Sequence, residues 1–69
     1  MYIPGTEFKV ELRINLGDQV FEPGLRGEIL ESVEKMVGKA YKVKFEDGRE
    51  AQIHVVIMNN HTEVIKEEE

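Results

Sequence analysis

The strongest constraint on this chain is the run Tyr41-Lys42-Val43-Lys44-Phe45-Glu46-Asp47-Gly48. Its apolar residues alternate with lysines at the period of a strand with one buried face, and the Asp-Gly that closes it is a strong hairpin signal. Upstream, Gly24 and Gly27 mark a turn. Downstream, the return arm from Glu50 to Met58 places Ala51, Ile53, Val55 and Ile57 on one side and Val56 and Met58 on the other.

A second clear strand lies near the start. Phe8, Val10, Leu12 and Ile14 alternate with Lys9, Glu11 and Arg13, which sets four apolar side chains against three charges. Leu16-Gly17-Asp18 ends it, Val20-Phe21 makes a short strand or loop anchor, and Pro23-Gly24 forces a further turn. Asn59-Asn60 is a turn, and Thr62 to Ile65 a last short strand. One segment has two readings. From Glu28 to Val37, residues Ile29, Leu30, Val33, Met36 and Val37 fall at helical spacing, with Gly38 suited to a helix end. Gly24 and Gly27 weaken a helix starting earlier, and the barrel-like flanks favour a strand followed by a loop, although a regular strand would turn Glu31 inward with Ile29 and Val33. The expected fold is therefore mainly β, a small barrel with an extra N-terminal strand. The alternative is α+β, with one helix at about 28–37 packed on an antiparallel sheet.

Length admits one domain, residues 1–66, followed by the acidic tail 67–69, read as a disordered terminus. With no cysteine in 69 residues, neither a disulfide nor a thiolate metal site can reinforce so small a core, which makes association with another chain a natural route to stability. No apolar run approaches the roughly 20 residues needed to cross a bilayer, and the amino end lacks the pattern of a signal peptide, so the cytoplasm is the expected compartment. The net charge of −5 argues against general nucleic-acid binding, but Glu67, Glu68 and Glu69 carry three of those charges.

Gly17-Asp18-Gln19-Val20, then Gly27-Glu28-Ile29, then Tyr41 through Gly48, and lastly Glu63-Val64-Ile65, resemble the order of signals in SH3-like barrels of the Tudor and KOW kind. That superfamily also includes the nitrile hydratase beta-subunit domain and the type II plasmid dihydrofolate reductases. The resemblance spans about residues 17 to 65 and implies a barrel. Against the reductases, Gln52-Ile53 matches part of their active-site strand and would imply contact with folate and nicotinamide. His54 stands where that family has tyrosine, and Glu22 falls near the place of a basic residue, where a carboxylate would repel an anionic cofactor.

Chemistry-bearing residues are sparse. His54 and His61 have no common zinc spacing, and Ser32, the only serine, has no histidine near it in sequence. Glu28, Glu31 and Glu34, like Glu46 with Asp47, read as solvated faces rather than acid–base pairs. Phe21 and Tyr41 are too few for an aromatic cage. No catalytic residue, cofactor or metal is expected, and the expected function is a non-enzymatic binding module acting through protein contacts or self-association. The surface expected to carry it is Val56 and Met58, on the far side of the last arm from the core. The alternative is nucleic-acid binding through Lys39, Lys42, Lys44 and Arg49.

Overall fold

A computed structural model describes residues 2–36 and 38–66. Met1, Val37 and the predicted acidic tail 67–69 lie outside the described residues. The chain is mainly β, with strands β1 (Glu7–Val10), β2 (Ile14–Leu16), β3 (Gln19–Phe21), β4 (Arg26–Glu34), β5 (Lys39–Phe45), β6 (Glu50–His54) and β7 (Thr62–Lys66). One short helix, α1 (Val55–His61), precedes β7. Five strands form an antiparallel sheet in the order β6-β5-β4-β1-β7, and β2 and β3 pair as a separate hairpin. Among the described residues β6 and β7 are not paired with each other, so the sheet is open and not a closed barrel.

The hairpin anticipated at Asp47-Gly48 forms as written. Gly48 N–H donates to the Phe45 carbonyl at 2.9 Å and takes φ of 95°, a type I turn followed by a left-handed residue that glycine adopts without strain. Asp47 fastens the loop by accepting from Arg49 N–H at 3.1 Å and from its guanidinium at 2.8 Å. Those bonds hold the Asp47 carboxyl below the usual carboxylate range, the Arg49 backbone N–H being the largest cause.

The segment from Glu28 is strand, as favoured, and not helix. Its helical spacing has a local origin. The pairing of β4 with β5 shifts between Ile29 and Glu31, so that Ile29 lies opposite Val43 while Glu31 lies opposite Lys42. Leu30 is the extra residue of a β-bulge, and the shift returns Glu31 to the solvent side. An uninterrupted strand would have aimed that carboxylate at the core.

The N-terminal strand is interior to the sheet, with β4 on one side and β7 on the other. It is also shorter than the alternation suggested. At residues 11–13 the chain bends away, because Glu11 N–H and Leu12 N–H both donate to the His61 carbonyl at the end of α1, at 2.7 and 3.1 Å. Leu12 consequently is 56% exposed, while Phe8, Val10 and Ile14 are buried. Gly27, expected only to mark a turn, sits within β4 opposite Phe8 and Phe45. A Cβ there would lie 2.7 Å from Phe8 Cζ and 3.1 Å from the Lys44 carbonyl oxygen, so the bare backbone makes room for the Phe8 ring.

The core gathers Phe8, Phe21, Ile29, Tyr41, Val43, Phe45, Ile53 and Met58, all nearly free of solvent contact. Phe45 meets Phe8 edge-on at 5.6 Å and stacks on Phe21 at 4.1 Å, and the Arg49 guanidinium lies 4.4 Å from the centre of the Phe21 ring. Arg49 also donates to the Val20 carbonyl at 3.1 Å. These contacts bind the β2–β3 hairpin to the larger sheet through rings and one cation rather than through strand pairing.

Candidate functional site

β6 is shorter than the alternation of its residues predicts. Strand geometry stops at His54, and Val55 to His61 is helical, so the alternation anticipated through Met58 gives way to a helical period and Asn59-Asn60 belongs to the helix instead of a turn. Met58 therefore points into the core, with 0% of its surface exposed, and cannot be part of an outward face. Val56 does remain outside, 55% exposed. Of the two residues expected to form the interface, the structure keeps Val56 available and withdraws Met58.

The helix forms in spite of three β-branched residues at its start, because tertiary contacts outweigh propensity. Val55 and Ile57 pack against the core beside buried Met58. At its start His54, in extended conformation, caps the helix by accepting a hydrogen bond at Nδ1 from Val56 N–H at 3.2 Å. At its end Thr62 Oγ1 donates to the Met58 carbonyl at 2.6 Å. Tyr2 leans on the other side, its hydroxyl donating to Asn59 Oδ1 at 2.9 Å and its ring edge-on to Tyr41 at 5.1 Å. Burial, and then the neighbouring Tyr41, push the Tyr2 hydroxyl above its ordinary range, partly offset by a hydrogen bond with Thr62.

The turn joining β4 to β5 meets this junction. Lys35 N–H donates to the Gly38 carbonyl at 3.1 Å, and Gly38 lies so close to the imidazole that a Cβ there would be 2.7 Å from His54 Nε2. Met36 stands in that turn fully exposed, and Lys35 Nζ reaches Gln52 Oε1 at 2.7 Å. The histidine thus joins two segments that each present an exposed apolar side chain, Met36 and Val56. The helical spacing of this segment places Met36 on an apolar face, whereas the turn leaves it in solvent.

Of the four basic residues considered for nucleic-acid binding, Lys42 and Lys44 share one face of β5, and three of the four lie beside carboxylates. Lys42 and Lys44 project from the face of β5 opposite Tyr41, Val43 and Phe45, whereas Lys39 shares the parity of those core residues at the end of the strand. Lys39 lies 3.8 Å from Glu34, Lys42 3.9 Å from Glu50, and Arg49 2.8 Å from Asp47. Lys44 is exposed, between Glu28 and Glu50 in the sheet register. It also borders an open depression of about 470 Å³, whose other charged walls are Glu7, Arg26, Glu28 and Glu46. Three carboxylates against two cations give no surface selective for phosphate. The residues that suggested a reductase also part company, because Ile53 is buried in the core while Gln52 is exposed and bonded to Lys35.

The second histidine is structural in its contacts, with His61 Nδ1 3.2 Å from the Arg13 carbonyl oxygen. Among the described residues no group of three or more histidines and carboxylates is placed to hold a metal ion. Near His61, Glu11 and Glu63 form a carboxyl pair on the surface. The hydrogen bond to Glu63, followed by repulsion from its charge, raises the Glu11 carboxyl above its usual value. A carboxyl raised in the folded state contributes stability below its unfolded pKa and loses it as pH climbs through the folded one. Glu63→Gln is accordingly expected to raise the melting temperature slightly at pH 7, with the gain disappearing below about pH 4, where carboxylates in general become protonated. Thermal melts of both proteins at the two pH values check this.

Compared with known proteins, the chain matches no family model, no curated protein and no solved structure. Among the described residues no helix is long and apolar enough to cross a membrane.

Proposed function

We propose that this chain is a non-enzymatic, SH3-like binding module of the cytoplasm that acts through protein contacts, of which the simplest is association with a second copy of itself. The order β6-β5-β4-β1-β7, with a hairpin between β1 and β4 and a short helix before the last strand, supports the SH3-like reading. The observation that carries the functional reading is Val56. It is a β-branched apolar residue held outward on a capped helix turn, next to a histidine that also supports the turn bearing Met36. A domain of this length, without cysteine, has the small core for which association adds stability. The carboxylate partners of Lys39, Lys42 and Arg49 weigh against the nucleic-acid alternative.

Val56→Glu provides the test. The wild-type protein is expected to sediment as a dimer at concentrations of tens to hundreds of micromolar and the variant as a monomer, while at dilutions where both are monomeric their unfolding free energies should differ by less than about 0.5 kcal/mol because an exposed position is changed. Wild-type protein that sediments as a monomer throughout, or a Val56→Glu variant that associates equally well, rejects self-association through this surface.

A further inference from the structure

The cap of α1 is made by a side chain that a proton can disable. Serine, threonine and asparagine, the usual neutral caps, present an oxygen that keeps its lone pairs at any mild pH. His54 uses Nδ1 instead, and a nitrogen that accepts from Val56 N–H cannot also carry a proton. Imidazoles take up that proton between pH 8 and pH 5. On the far side of the ring the Gly38 backbone comes near enough that a Cβ there would lie 2.7 Å from Nε2. A cationic ring would also face the amide end of the helix, whose partial charge has the same sign. Because α1 is only seven residues long, the first turn has no length of helix behind it to hold it once the cap is gone.

The surroundings of the ring are mixed in charge. In the sheet register His54 lies across from Ala40 on β5, which pairs in turn with Val33 on β4. Among the described residues, the charged groups of the packed elements are Lys35 of the turn, the Glu34 and Lys39 pair beyond Val33 and Ala40, and, two rows in the other direction, Glu31 with Lys42. On α1 itself the other titratable group is His61, at the opposite end.

We infer that His54 is a proton switch on α1. Neutral, it caps the helix and fixes Val56 on the surface; protonated, it releases the Val56 amide and frays the first turn, so that contacts made through Val56 weaken on acidification. The last consequence rests on the proposed role of Val56, whereas release of the cap does not.

The experiment is hydrogen exchange on uniformly labelled protein from pH 8 to pH 5, with the ring carbons of both histidines followed in the same samples. The protection factor of the Val56 amide is expected to fall roughly fivefold to tenfold, the scale of a lost helix cap, with the midpoint of the His54 ring. His61→Asn should keep that response, and His54→Asn, which offers an oxygen at every pH, should abolish it. Constant Val56 protection while the His54 ring titrates overturns the switch, as does a ring that takes up no proton above pH 5. The wild-type titration decides this even if His54→Asn does not fold. Sedimentation over the same range separates the two ideas. An open cap with undiminished association overturns the link to Val56 contacts and leaves the cap release standing.

Discussion

Met58→Ala is expected to destabilise the protein by about 2 to 5 kcal/mol, the cost of truncating a fully buried aliphatic side chain and leaving a cavity. The effect is large because Met58 is the helix residue buried in the core. A core of this size supplies only about 3 to 5 kcal/mol of net stability, so the variant should be substantially unfolded at 25 °C. Urea unfolding followed by circular dichroism measures the loss. Val56→Ala, two residues away, should shift the midpoint by less than about 0.5 kcal/mol, and that contrast distinguishes a helix at Val55–His61 from a continued strand with both residues outward. Equal, small effects at the two positions would mean that Met58 is not a core residue.

Phe45→Ala should cost about 3 to 5 kcal/mol, as large aromatic truncations in cores do. Phe45 lies between Phe8 on the interior strand β1 of the five-stranded sheet and Phe21 in the separate hairpin. Its removal takes away both ring contacts, each worth about 0.5 to 1.5 kcal/mol beyond the area buried. It also frees Phe21, over which Arg49 is laid. The β2–β3 hairpin should therefore loosen first. Amide exchange in residues 14–21 should become faster than in β5 and β6 under conditions where part of the population remains folded. Uniform loss of protection in a single step would show that the hairpin is not held chiefly by the rings.

The parts of this structure that the sequence displays are those where period and turn chemistry agree. Tyr41, Val43 and Phe45 alternate without interruption into Asp47-Gly48, and β5 and its turn follow directly. Where a tertiary contact alters the period, the signal misleads. The bulge at Leu30 adds one residue to β4 and gives a strand the apolar spacing of a helix. The reverse happens at Val55-Val56-Ile57-Met58, which continues the alternation of β6 while the chain winds into a helix. Nothing in that run announces a helix start, because the cap is a histidine in place of the usual serine, threonine, aspartate or asparagine. The bend after Val10 was hidden for a similar reason. It depends on the His61 carbonyl, some fifty residues downstream, receiving the amides of Glu11 and Leu12. Of the candidate site, strand alternation opposite Ile53 places Val56 outside but places Met58 there too, and the helix keeps only Val56 exposed; the company of Met36 and His54 has no sign in the sequence, since it arises where the β4–β5 turn meets the start of α1.

The proposal that Val56 and its neighbours form a protein contact is tested most directly by a dilution series of amide spectra, from about millimolar to about ten micromolar, on the wild-type protein at pH 7.5. Concentration-dependent shifts should cluster at Met36, at His54 and along the exposed side of α1, and should be absent from Val56→Glu. Shifts centred instead on the outer face of β5 and β6, around Lys42, Lys44 and Glu50, or a spectrum unchanged over the whole range, would contradict it.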